Sequence, residues 1–157
     1  RDLHNSEHSF PTRRSSDLGV EAREHGGTTT RIGGVTITPF GEQHALIHDD
    51  LPRITNVGVR LDAEGEPSFF HPGDALDAVP GQVDVLAFPL QAPWQRSRDM
   101  TAFLRRFGAP HAVPIHDGLL QRRGRDLYLG QAAQLGCADT RIHDLAGAGP
   151  VEFREGA

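Results

Sequence analysis

Lysine is missing altogether from these 157 residues, and all sixteen basic side chains are arginine. The formal net charge is −5, and the only dense basic group is Arg122, Arg123 and Arg125, which reads as a solvated helix end. Phosphate backbones are held by clustered cations, so no nucleic-acid partner is expected. A single cysteine, Cys137, excludes an internal disulfide framework and a cysteine-built zinc cluster. No apolar run approaches the ~18 residues of a membrane span. No membrane partner is therefore expected, and a cytoplasmic location is. Also missing are a Gly-rich phosphate loop after a strand and a Gly-x-Ser-x-Gly elbow, which argues against P-loop, dinucleotide and serine-hydrolase chemistry.

Periodicity is missing from one stretch in particular. HSFPTRRSSDL, residues 8–18, carries paired arginines, paired serines and a proline, and fits neither the helical nor the strand repeat. Read back into codons, it resembles the in-frame translation of a widely used sequencing adapter. Residues 1–18 are accordingly expected to be a non-native or disordered leader, and residues 19–157 to carry the domain.

From Gly26 onward the chain has the punctuation of a β-rich, then α/β, domain. TTTRIGGVTITPF alternates as two strands, Thr28 to Ile32 and Val35 to Phe40, around the Gly33-Gly34 turn. RITNVGVRL, Arg53 to Leu61, reads as the next strand, and the Asp, Gly and Pro of DAEGEP turn it into SFFHPGD as a hairpin. VDVLAFPL, Val83 to Leu90, is a continuous apolar run, the mark of a strand covered on both faces. RSRDMTAFLRRFGAP repeats its apolar residues at helical spacing and stops at Gly108 and Pro110. AVPI is a short buried strand, and LLQRRGRDLYLGQAAQLG a helical or irregular segment interrupted by Gly124 and Gly130. VEF reads as a last strand.

Three of these segments end alike. VTITPF runs into His44, SFFHPG into Asp74 and AVPI directly into His116. A sheet edge is a rigid platform that aims side chains into a shared crevice. Two imidazoles and a carboxylate form a donor set that zinc, iron or manganese accepts. Singly, each residue is better explained as a turn residue or a satisfied histidine, and it is the repeated pattern that points to a metal site.

The four segments GEQHALIHDDLPRITNVGVRL, FFHPGDAL, VDVLAFPLQAPW and HAVPIHDGLL, in that order between Gly26 and Leu129, resemble the C-terminal half of a metallo-β-lactamase-fold hydrolase. The branch they resemble is that of the metal-dependent hydrolases similar to L-ascorbate-6-phosphate lactonase. The resemblance implies an α/β fold, a partial αββα sandwich without its N-terminal strands. It makes His44 the third histidine of a first metal site, Asp74 the carboxylate bridging two metals, and His116 the closing ligand of the second. Trp94 would wall the substrate cleft, His48 would reach substrate, and Asp117 would orient a ligand. No side chain of this stretch is expected to act as a catalytic group itself. The implied cofactor is a pair of divalent cations, zinc first and manganese also suited. The implied reaction is attack of a two-metal-activated hydroxide on a small ester, lactone or phosphate-type molecule.

The family's His-x-His-x-Asp-His motif is not in the sequence. The chain is therefore expected to be a piece of a longer protein, binding metal weakly, inactive alone and poorly stable. A rival expectation from another class is a non-catalytic binding module whose metal site has degenerated.

Overall fold

The computed structural model describes residues 27–154, so the expectation for residues 1–18 lies outside the described residues. Strands β1 (Thr30–Ile32) and β2 (Val35–Phe40) form the expected hairpin. Gly33 and Gly34 have φ of 55° and 90°, both positive, as a tight two-residue turn with the right twist requires. β3 (Gly58–Asp62) pairs antiparallel with β2, Phe40 facing Gly58. The strand expected from Arg53 therefore starts five residues later. The ladder lapses where Gly41 takes φ of 81° and resumes in the same register only as a Gln43–Thr55 bridge. β4 (Phe69–His71) closes the second hairpin.

Beyond β4 the sheet changes character. β5 (Val85–Pro89), β6 (His111–Ile115) and β7 (Arg141–Ile142) run parallel to β4 and to one another, giving one seven-stranded sheet in chain order. Every residue of β5 is buried, as its unbroken apolar run implies. Parallel neighbours need long crossovers: residues 72–84 lead from β4 to β5 without a helix, and α1 (Ser97–Phe107) and α2 (Arg122–Leu135) supply the next two.

α1 begins where the Asp99 carboxylate accepts the Arg96 backbone N–H at 3.1 Å, with the acid favourably placed in the first turn. It ends at Gly108, left-handed at φ of 54°, whose N–H donates to the Leu104 carbonyl. Its buried face, Met100, Phe103 and Leu104, packs with Phe70, Leu86 and Phe88 into one core. Burying a side chain of this size stabilises by about 1.5–3 kcal/mol.

Two sequence expectations fail here. Gly124 and Gly130 do not interrupt α2. Each costs about 1 kcal/mol relative to alanine, and the packing of Tyr128, Leu129 and buried Ala132 against the core offsets it. VEF is not a strand, and its Phe153 ring instead packs against His111 and His143, at centroid distances of 5.4 and 5.0 Å.

Candidate metal centre

His44, Asp74 and His116, each just beyond a strand end, meet at one edge of the sheet. The loop after β2 is held against residues 54–56: the His44 backbone N–H donates to the Ile54 carbonyl at 2.9 Å, and the Asn56 N–H to the Glu42 carbonyl at 3.2 Å. His44 is 8% exposed. Its Nδ1 lies 2.7 Å from the Ala45 carbonyl oxygen. A carbonyl only accepts, so Nδ1 carries the proton and the other ring nitrogen, Nε2, faces Asp74 Oδ2 at 3.4 Å.

His116 is arranged in the same way from the opposite side. It follows β6 directly and is the only non-glycine among the described residues with positive φ, 57°. That conformation costs about 1–3 kcal/mol and persists only where the surroundings impose it. Here the His116 Nδ1–H donates to the Gln91 carbonyl at 2.9 Å, and the Leu90 N–H donates to the Ile115 carbonyl at 2.8 Å. His116 Nε2 then faces the other carboxylate oxygen, Asp74 Oδ1, again at 3.4 Å. The carboxylate is the open part of the group, its side chain 37% exposed. Each ring thus turns its second nitrogen, Nε2, toward a different oxygen of the same carboxylate.

Trp94 stands beside both rings, with centroids 5.6 Å from His44 and 6.3 Å from His116 and edge-on geometry to each. His48 is placed differently. Its side chain is 63% exposed, and its Nδ1 accepts the Asp50 N–H at 3.1 Å. A cavity of about 460 Å³ touches Ala45 and Ala75, the residues after two of the three, but none of the three lines it.

Asp117 turns away from His116 toward α2. Its Oδ2 accepts Arg125 Nε at 2.5 Å, while both terminal nitrogens of Arg125 donate to Asp144 at 2.6 Å. The side chain of Arg125 is only 15% exposed, so the solvated helix end expected for Arg122, Arg123 and Arg125 fails at its third member. Hydrogen bonds to Asp144 and then Asp117 raise the Arg125 pKa further, and the same contact holds the Asp144 carboxyl below its ordinary value. The network pins the segment after His116 to the residues beyond β7. Nothing in the local sequence of Arg125 signals it, because both carboxylates arrive from other elements.

Sequence reasoning also passes over Asn56. Its Oδ1 accepts the Asp74 backbone N–H at 2.8 Å, and its Nδ2 donates to the Pro72 carbonyl at 2.9 Å. Among the described residues no three His, Cys, Asp or Glu side chains are gathered round a single point as a ready metal cage. His44 and His116 instead approach different oxygens of Asp74.

The fold has known counterparts. The chain superimposes on the metallo-β-lactamase-fold protein YhfI of Bacillus subtilis with a TM-score of 0.53, at 14% identity, over 73% of this chain and 49% of that one. A protein of Parabacteroides distasonis assigned as a metal-dependent hydrolase gives a TM-score of 0.53 at 19% identity, over 82% of this chain and 60% of that one. The described residues thus form part of the metallo-β-lactamase fold, as the sequence resemblance implied. By sequence the chain is 35% identical over 120 residues to Protein Rv0786c of Mycobacterium tuberculosis (strain ATCC 25618 / H37Rv), covering 75% of this chain. It spans only 56% of that relative's length. No family model matches the sequence.

Proposed function

We propose that the complete protein is a metal-dependent hydrolase in which His44, Asp74 and His116 hold divalent cations. The observation that carries this reading is the paired geometry at Asp74. Two imidazoles, each with Nδ1 committed to a backbone carbonyl, turn Nε2 toward opposite oxygens of one carboxylate. In the neutral form that ligates metals, each Nε2 presents a lone pair to a carboxylate oxygen, and a cation between the two satisfies both. An Nδ1–H bound to a backbone carbonyl is also how proteins orient ligating histidines. Both Nε2 to oxygen distances are 3.4 Å. Two donors on a tetrahedral ion with bonds of ~2.0–2.2 Å stand about 3.4 Å apart. The carboxylate would then be shared, with His44 on one side and His116 on the other.

His44, Asp74 and His116 would hold a divalent ion, zinc first and manganese next by donor type, which would supply a water that ionises near neutral pH and would polarise the scissile carbonyl or phosphoryl oxygen. The protein's own part is positional. The backbone carbonyls of Ala45 and Gln91 fix the two rings, and Trp94 walls one side and excludes water there. The substrate class that fits is a small ester, lactone or phosphate-type molecule. Each half-site has two protein ligands among the described residues, fewer than the three of an open zinc site. The 157-residue chain alone therefore binds metal weakly and turns over nothing.

Isothermal titration of the purified chain with zinc tests this. Weak uptake is expected, abolished in Asp74→Asn, and uptake undiminished by that substitution sinks the assignment. The rival, a binding module with a degenerate site, is told apart by the residues upstream in the whole source locus: an intact His-x-His-x-Asp-His supports the enzyme, and substituted positions support the module. It requires that protein expressed from the whole source locus, zinc-loaded, leave lactones and phosphodiesters intact.

A further inference from the structure

We infer that Asn56 is a positioning residue that sets the bridging carboxylate, fixing the Gly73-Asp74 turn to the loop that carries His44; this rests on the metal-site reading of Asp74. The two functional loops come from different hairpins, and Asn56 is where they are joined. Its backbone N–H donates to Glu42 in the His44 loop, while its side chain spans the other turn, accepting from Asp74 N–H and donating to Pro72. Both ends of the amide are used, so neither aspartate nor leucine of similar shape can replace it. Aspartate keeps the acceptor but sets a carboxylate oxygen against the Pro72 carbonyl, and leucine loses both bonds.

The turn itself is cut to fit this side chain. Gly73 has φ of 66°, and a Cβ placed there would lie 2.2 Å from Asn56 Oδ1. The close approach brings the amide oxygen onto the Asp74 N–H. A second link, from Ala45 N–H to the Asp74 carbonyl at 3.1 Å, ties the same turn to the residue after His44. Rotation of the Asp74 backbone would carry Oδ1 and Oδ2 away from the two imidazoles, which are themselves held to other backbone. Asn56 touches neither ring by these bonds and acts through Asp74.

Two measurements on the full 157-residue chain decide it, with cobalt(II) as the probe. Asn56→Leu should raise the cobalt dissociation constant at least about tenfold, the size of effect seen when groups orienting a ligand are removed. It should also shift the visible bands of the ion that still binds. Ser68→Ala, which disturbs a hydrogen bond elsewhere in the sheet, should leave the bands in place. A purely structural role would lower the folded fraction without moving the bands, so unmoved bands overturn the inference. Amide hydrogen exchange is the metal-free readout. Asp74 should lose protection in Asn56→Leu while Leu86 and Phe88 keep theirs, and retained protection at Asp74 overturns the positioning role. A wild-type chain that takes up no cobalt while Asp74 loses protection in the variant refutes the metal-site reading instead and leaves the turn-fixing role standing.

Discussion

The two halves of the sheet bury their residues very differently. In the parallel half, β5 is buried along its whole length and Ala112 in β6 is inaccessible, with α1 and α2 completing the core. In the antiparallel half, every residue of β2 is only half-buried. Ile32, Leu46, Ile47, Leu51, Ile54 and Val57, all from β1 or the connections around β2 and β3, are each 39% exposed or more. Yet both halves feed the same site, His44 from the antiparallel side and His116 from the parallel side, with Asp74 at the junction. The well-covered half thus fixes one imidazole, and the thinly covered half fixes the other and, through Asn56 and Ala45, the turn that carries the carboxylate.

The sharpest way to break this contrast is to delete side chains on either side of it. Phe88→Ala empties a fully buried position and should cost about 3–5 kcal/mol. Ile37→Ala, in half-buried β2, should cost about 1 kcal/mol. Urea unfolding followed by the lone Trp94 would measure both. Equal losses would mean that β2 is covered in solution as well as β5, and the contrast would disappear.

A smaller effect tests the junction. Gly65 and Gly73 both have positive φ, 73° and 66°, but a Cβ at Gly65 meets nothing within 4 Å whereas one at Gly73 meets Asn56. Gly65→Ala should cost only the left-handed strain, about 1–2 kcal/mol. Gly73→Ala should cost more, up to about 3 kcal/mol, and should also weaken cobalt binding. Urea midpoints and cobalt titrations that coincide for the two variants would refute the role given to the close approach.

The same contrast governs what is legible in the sequence. Val83 to Leu90 is legible because burial on both faces leaves an unbroken apolar run, and α1 is legible because one buried face leaves a helical repeat. Strand ends are legible as a pattern, which is how the sequence alone can single out His44, Asp74 and His116, though not their convergence. The antiparallel half is harder to read. Arg53 to Val57 has strand-like composition, but the Gly41 break releases those residues from the ladder, a tertiary event that composition does not record. Asn56 and Arg125 escape for a related reason. Asn56 reaches partners 16 and 18 residues away, and Arg125 reaches Asp144, 19 residues away. An asparagine in a loop or an arginine on a helix reads locally as solvated.

The smallest expected effect lies in the parallel half, where His111 Nδ1 and His143 Nε2 are 3.0 Å apart. One ring must donate and the other accept, so the pair is intact only while at least one imidazole is neutral. Burial first, then the charges of His111 and Arg141, lowers the His143 pKa below its ordinary 6.5. A group whose folded pKa is depressed binds protons more readily when unfolded. Its contribution to stability is therefore fully present above about pH 6.5 and is lost as pH falls through the lowered value. Asp84, whose carboxyl is held below its ordinary 3.8 chiefly by Ser68, acts only in a more acid window and does not overlap. Urea midpoints should thus be level from pH 8 to 7 and decline toward pH 5, with a shallower decline in His143→Gln. The difference between the two profiles is the measure. Parallel profiles would show that His143 is protonated as easily folded as unfolded, and would remove the one pH-sensitive contact assigned to the better-covered half.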